Sequence, residues 1–164
     1  MYKKKLIILI TVFITMIVAL SSFKKNTTES TYKCMIQMKN YSGEAAYVVI
    51  SLMNQKGTYE KTLYVQGDDD EWYFDIPEWW RFQGKKRANI DAITGATISG
   101  GERTISIISI ADDVLNKGYK IRFETAVEDQ EYYASDLEFD LTTENLKSKI
   151  EGKGFIRYVR MMPK

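Results

Sequence analysis

The sequence predicts an all-β chain, two antiparallel sheets packed as a sandwich. Three observations carry this. Apolar and polar residues alternate with a period of two in several short runs, as half-buried strands do. Turn signals rich in Gly, Asn and Asp separate those runs. Residues that favour strands are abundant, with 11 Tyr, 7 Phe and 3 Trp against only 2 Pro. Seven or eight short strands with turns between them fit a single immunoglobulin-like sandwich.

The chain opens differently. Lys3-Lys4-Lys5 precede an apolar run from Leu6 to Leu20, interrupted only by Thr11 and Thr15, and Ala19-Leu20-Ser21 has the small-x-small form of a cleavage site. This is the order of an export signal. Residues 1–22 are read as a signal peptide, either cleaved or retained as an anchor through residues 6–23, although the run is shorter than the ~20 residues a spanning helix prefers. The protein is therefore expected to be exported, periplasmic or anchored facing the extracytoplasmic side. Residues 23–31 read as a polar linker. Residues 32–164 read as the sandwich domain, and about 140 residues suffice for one real core.

Within the domain, Ala46–Met53 (AYVVISLM) is a continuous apolar strand, and Asn54-Gln55-Lys56-Gly57 turns it into Lys61–Gln66. Thr104–Ile110 (TISIISI) is a further strand whose alternation slips at Ile107-Ile108, which predicts a bulge. Asp112–Gly118 reads as a turn. Tyr119–Thr125 and Asp136–Leu141 alternate cleanly, and Phe155–Met161 is a last strand. One helix is expected, Thr142–Ile150, with a surface loop as the alternative.

Composition excludes several function classes. The chain has no His, so Ser-His-Asp and Cys-His catalysis, His-ligated zinc and His-ligated haem are out. One Cys, Cys34, permits no internal disulfide and reads as a small buried hydrophobe. A net charge of +1 gives no electrostatic case for nucleic acid. Asp68-Asp69-Asp70-Glu71 matches no calcium-loop spacing and reads as a solvated turn. No metal site and no catalytic residue set is expected.

One segment remains to be explained: Asp91-Ala92-Ile93-Thr94-Gly95-Ala96-Thr97, followed by Ile98-Ser99-Gly100-Gly101. It is small-residued and rich in hydroxyls. The pattern Asp-x-x-Ser/Thr-Gly-Ala-Thr resembles the acceptor motif for covalent FMN in flavin-carrying subunits of the Na+-pumping NADH:quinone reductase and the Rnf complex. The resemblance implies that Thr97 accepts FMN as a phosphoester from an FAD:protein FMN transferase, with Asp91, Thr94, Gly95 and Ala96 as recognition context. The residue types suit that role: Thr97 has a hydroxyl, and Gly95 and Ala96 are too small to obstruct another enzyme's active site.

A longer resemblance runs through Tyr47–Val65, Trp72, Trp79-Trp80-Arg81, the motif, Gly118-Tyr119, Glu124–Glu128 and Tyr158–Pro163. These features are similar to those of the exported bacterial family called domain of unknown function 2271, and they imply an immunoglobulin-like sandwich associated with extracytoplasmic flavin-based electron transfer. Two departures stand out. Ile110-Ala111-Asp112 occupies the place of the family's Trp-Asp-Gly, and Asp129-Gln130 the place of its His-Gly.

Trp79 and Trp80 read as neighbours on a strand, one facing the core and one outward. An outward Trp near the motif is a candidate to stack on an isoalloxazine ring. Arg81, Lys85, Lys86 and Arg87 read either as phosphate or partner contacts or as a solvated loop. Two functions stay open. One is a flavoprotein electron carrier, not itself an enzyme, whose partners are the transferase and membrane or extracytoplasmic redox proteins. The other is a cofactor-free binding or adhesion module that uses its Tyr- and Trp-rich faces.

Overall fold

The computed structural model describes residues 27–86 and 89–164; the signal or anchor segment, residues 1–22, lies outside them. It is an all-β sandwich. The strands are β1 (Glu29–Met38), β2 (Tyr47–Met53), β3 (Tyr59–Gln66), β4 (Thr94–Gly95), β5 (Arg103–Ala111), β6 (Lys120–Ala126), β7 (Tyr133–Asp140), β8 (Lys149–Glu151) and β9 (Ile156–Pro163). One sheet has the order β5-β1-β9-β8 and the other β4-β3-β2-β6-β7. Every ladder is antiparallel except the two-residue β4, which pairs in parallel with the edge of β3. β1 begins at Glu29, so the polar stretch expected as linker gives its last three residues to the strand.

The inner faces interlock through Ile36, Met38, Ile50, Ile121, Phe123 and Ile156, all fully buried. Cys34 is buried among them, and that burial pushes its thiol pKa far up, as suits a packing residue. The β2–β3 turn forms as its residues require. Gly57 takes φ +74°, and the Asn54 side chain accepts from the Lys56 and Thr58 amides. At the far end, the fully buried Asp136 carboxylate accepts from the Thr125 hydroxyl and the Gly154 and Ile156 amides, tying β6, β7 and β9 together.

Three expectations are corrected. β5 pairs with β1 without any register shift, so it carries no bulge. Its polarity is instead inverted over one stretch: Ser106 points inward, where its hydroxyl accepts from Gln66, while Ile105 and Ile107 point out. The segment Thr142–Ile150 is not a helix but a single 3-10 turn, Asn145–Lys147, leading into β8. The Trp79-Trp80 segment is not a strand. It lies in α1 (Pro77–Lys86), the longest helix among the described residues. Pro77 sits at the first helical position, where its missing amide costs nothing, and Glu78 follows in the first turn.

Together, α1 and the preceding 3-10 turn Asp70–Asp75 cover the outer face of the five-stranded sheet and create a second core. Trp79, Ile76 and Tyr73 pack there on Val49, Val65 and Ala126. Trp79 donates its indole N–H to the Thr62 hydroxyl at 2.9 Å, and that hydroxyl donates to Gln83 at 3.1 Å, so helix and strand are joined by a buried chain of hydrogen bonds. Beside it, the fully buried Glu124 accepts from the Tyr59 hydroxyl at 2.7 Å and the Tyr132 hydroxyl at 2.5 Å.

Candidate functional site

The segment Asp91–Thr97 lies along the edge of β3. It begins as a 3-10 turn, Asp91–Ile93, in which the Asp91 amide donates to the Asn89 side chain and the Ile93 amide donates to the Ile90 carbonyl. β4 follows, and the Gly67 amide donates to the Gly95 carbonyl at 2.5 Å. Gly95 allows a close approach: a Cβ there would stand 2.6 Å from the Tyr64 hydroxyl, which itself donates to the Thr94 carbonyl. On the other side of Thr97, Ile98 forms a two-bond bridge with Ala46, and the Tyr41 hydroxyl donates to the Ile98 carbonyl at 2.7 Å. Thr97 is thus held between two fixed points.

The two threonines differ. The Thr94 hydroxyl donates to the Asp91 carbonyl at 3.2 Å. The half-buried Thr97 has no side-chain hydrogen bond among the described residues. It lines a pocket of about 210 Å³ with Tyr47, Trp72, Glu44, Asp75 and Glu128. The pocket is negative. Burial and then the neighbouring Asp129 raise the Asp75 pKa. Burial, followed by Asp69 and other nearby carboxylates, pushes Tyr47 up to about 12.

A second, larger cleft of about 590 Å³ has Tyr73 in its lining. Trp80, 37% exposed, forms one wall of it, and Asp91, Thr94, Asp68 and Asp70 line it. The Tyr73 ring meets Trp80 edge-on at 5.6 Å. The sequence-predicted residues are therefore divided. Trp80, Asp91 and Thr94 share the large cleft. Thr97 faces the smaller pocket, Gly95 is packed in β4, and Ala96 is exposed between them. Trp79 belongs to neither pocket and is wholly core. Arg81 and Lys85 are exposed on α1 beside a different, shallow groove; Arg87 lies outside the described residues. Neither lining contains a basic side chain among the described residues.

Sequence reasoning missed Tyr47, Glu44, Asp75 and Glu128 as neighbours of Thr97. The departure Asp129-Gln130 lies at the same place. Asp129 adopts φ +57° next to Glu128, and the Gln130 side chain donates to the Ser42 carbonyl.

A family model described as a predicted periplasmic protein, domain of unknown function 2271 (DUF2271), matches residues 29–158. The chain is a DUF2271 protein. No curated protein and no solved structure matches it. The periplasmic description of DUF2271 agrees with export, and among the described residues no helix is long and apolar enough to cross a membrane.

Proposed function

We propose that this DUF2271 protein is an exported electron carrier with FMN esterified to Thr97. The observation that carries the reading is the free Thr97 hydroxyl, presented to an open pocket within an intact acceptor pattern while Thr94 is occupied by its own backbone. In the transfer step the Thr97 oxygen bonds to the FMN phosphorus of FAD, the pyrophosphate P–O bond breaks, AMP leaves, and the hydroxyl proton is released. That chemistry belongs to the transferase, which suits a chain with no His.

The residues present fit the group. A pocket of about 210 Å³ accommodates a phosphodiester and part of a ribityl chain, while the Trp72 and Tyr47 walls and the Trp80 cleft offer aromatic surface for the ring. The carboxylates Glu44, Asp75 and Glu128 disfavour a free phosphate dianion. A covalent ester carries one negative charge rather than two and needs no binding affinity to stay. When bound, the flavin supplies the redox chemistry and the protein its orientation and field.

The test is intact mass and visible absorbance after co-expression with an FMN transferase in the periplasm, beside Thr97→Ala. The expected result is a mass gain of one FMN less one water, with yellow colour that survives denaturation and is absent from Thr97→Ala. An unmodified mass, under conditions that flavinylate a known acceptor, refutes the carrier. It would favour the cofactor-free binding module, for which the acidic Trp80 cleft is the natural contact surface.

A further inference from the structure

The two outer faces of the sandwich differ in what covers them. The five-stranded sheet is covered by the 3-10 turn Asp70–Asp75 and α1; Asp68, Asp69, Asp70, Glu71 and Asp75 crowd the start of that cover, while α1 exposes Arg81 and Lys85. Among the described residues the outer face of the four-stranded sheet is uncovered, with Ile105 54%, Ile107 43% and Met162 36% exposed.

Register fixes what stands beside what on that open face. Lys33 of β1 lies between Ile107 of β5 and Met162 of β9. Two residues along, hence on the same face, Met35 lies between Ile105 and Arg160, with Lys149 of β8 beyond. Two further along, Gln37 lies between Arg103 and Tyr158. The face is a grid of cations set among large apolar side chains. Its acids are both taken up: Glu151 by Lys149 at 3.4 Å and Glu29, at the start of β1, by Lys61 at 3.3 Å. Lys33 and Arg160 have no side-chain partner among the described residues.

Cations alternating with exposed Ile and Met are the composition of an interfacial membrane contact. The apolar groups enter the headgroup boundary and the cations meet anionic lipid. A second copy is a poorer occupant, because two such faces together would set Lys33, Arg160, Lys149 and Arg103 against their own kind. The position of the chain's entry agrees. β1 is an interior strand of this sheet, and the apolar run ending at Leu20 precedes Glu29 by eight residues. Eight extended residues span at most about 28 Å, so anything that holds that run at a bilayer holds this sheet near it.

We propose that the outer face of the four-stranded sheet docks on anionic phospholipid, turning the α1-covered face of the sandwich away from the bilayer. The proposal does not depend on flavin.

The test floats the exported protein with vesicles of phosphatidylcholine alone and of phosphatidylcholine mixed with phosphatidylglycerol. The expected result is binding to the anionic vesicles that fades with added salt. Lys33→Gln/Arg160→Gln weakens it by about thirtyfold, from about 1 kcal/mol per cation near an anionic surface. Arg81→Gln/Lys85→Gln, on α1, leaves it unchanged, and thermal unfolding confirms that both variants are folded. Equal binding by wild type and Lys33→Gln/Arg160→Gln overturns the proposal. So does binding indifferent to lipid charge and salt, which would assign attachment to the N-terminal run alone. A fluorophore on Ile107→Cys that already reports an apolar environment without vesicles also overturns it, since a second copy or the chain's own N-terminal segment would then cover the face.

Discussion

Glu124 makes the stability of this protein fall as pH rises through neutrality. The carboxyl is fully buried between β6 and the covering insertion. Desolvation raises its pKa from 4.5 to about 7, opposed by hydrogen bonds from Tyr132 and Tyr59 and by the charge of Arg122, and assisted by Glu78. The folded state therefore holds this proton more tightly than the unfolded chain. The stabilisation is fully present below pH 4.5 and is lost as pH rises through about 7. At about 1.4 kcal/mol per pH unit over that window, the loss amounts to about 3 kcal/mol. Glu124→Gln keeps the shape, stays neutral, and can still pair with both tyrosines, so it removes the dependence. The assay is urea denaturation of both proteins at pH 5 and pH 8. The wild type loses about 3 kcal/mol between the two conditions relative to Glu124→Gln, which becomes the more stable protein at pH 8. If the two proteins change in parallel with pH, Glu124 is ionised throughout and the burial argument fails.

Other predictions follow from single contacts. Trp79→Ala costs about 3–5 kcal/mol by emptying the second core, and thermal unfolding reads it as a lowered midpoint; Trp80→Ala, half outside, costs far less. Asp136→Asn sets an N–H donor group against the amide of either Gly154 or Ile156, which donate to different carboxylate oxygens, and costs about 2–4 kcal/mol in chemical denaturation. Gly95→Ala drives a methyl against the Tyr64 hydroxyl and costs about 1 kcal/mol; removing that oxygen with Tyr64→Phe restores most of the loss in a double-mutant cycle.

What was legible in the sequence follows the physics of each element. β6, β7 and β9 declare themselves by visible alternation, whereas β2 does so as a continuous apolar run, buried on both faces, and β3 as its return across the Asn54–Gly57 turn. β5 was legible as a strand but its facing was not, because Ser106 is buried on a hydrogen bond from Gln66 while isoleucines face out, which reverses the usual meaning of each residue type. α1 was hidden because ten residues are too few to show a helical period against two adjacent tryptophans, although Pro77-Glu78 is a fair start signal. The loop Asp91–Thr97 stood out in the sequence by its pattern. Its surroundings were not, since Glu44, Asp75 and Glu128 reach Thr97 from three separate parts of the chain. No local signal announces such a meeting.

The parallel pairing of β4 on β3 has a consequence of its own. A strand at the margin of a sheet invites any passing chain to add to it. Thr94 and Gly95 occupy that margin of β3, with the following bridge from Ile98 to Ala46 pinning them down. The loop is a splint before it is anything else. A relative without any cofactor would still need the splint to guard that edge, so persistence of these small residues and chemical use of Thr97 are separate questions. Only a mass spectrum of the protein from its own cell envelope joins them.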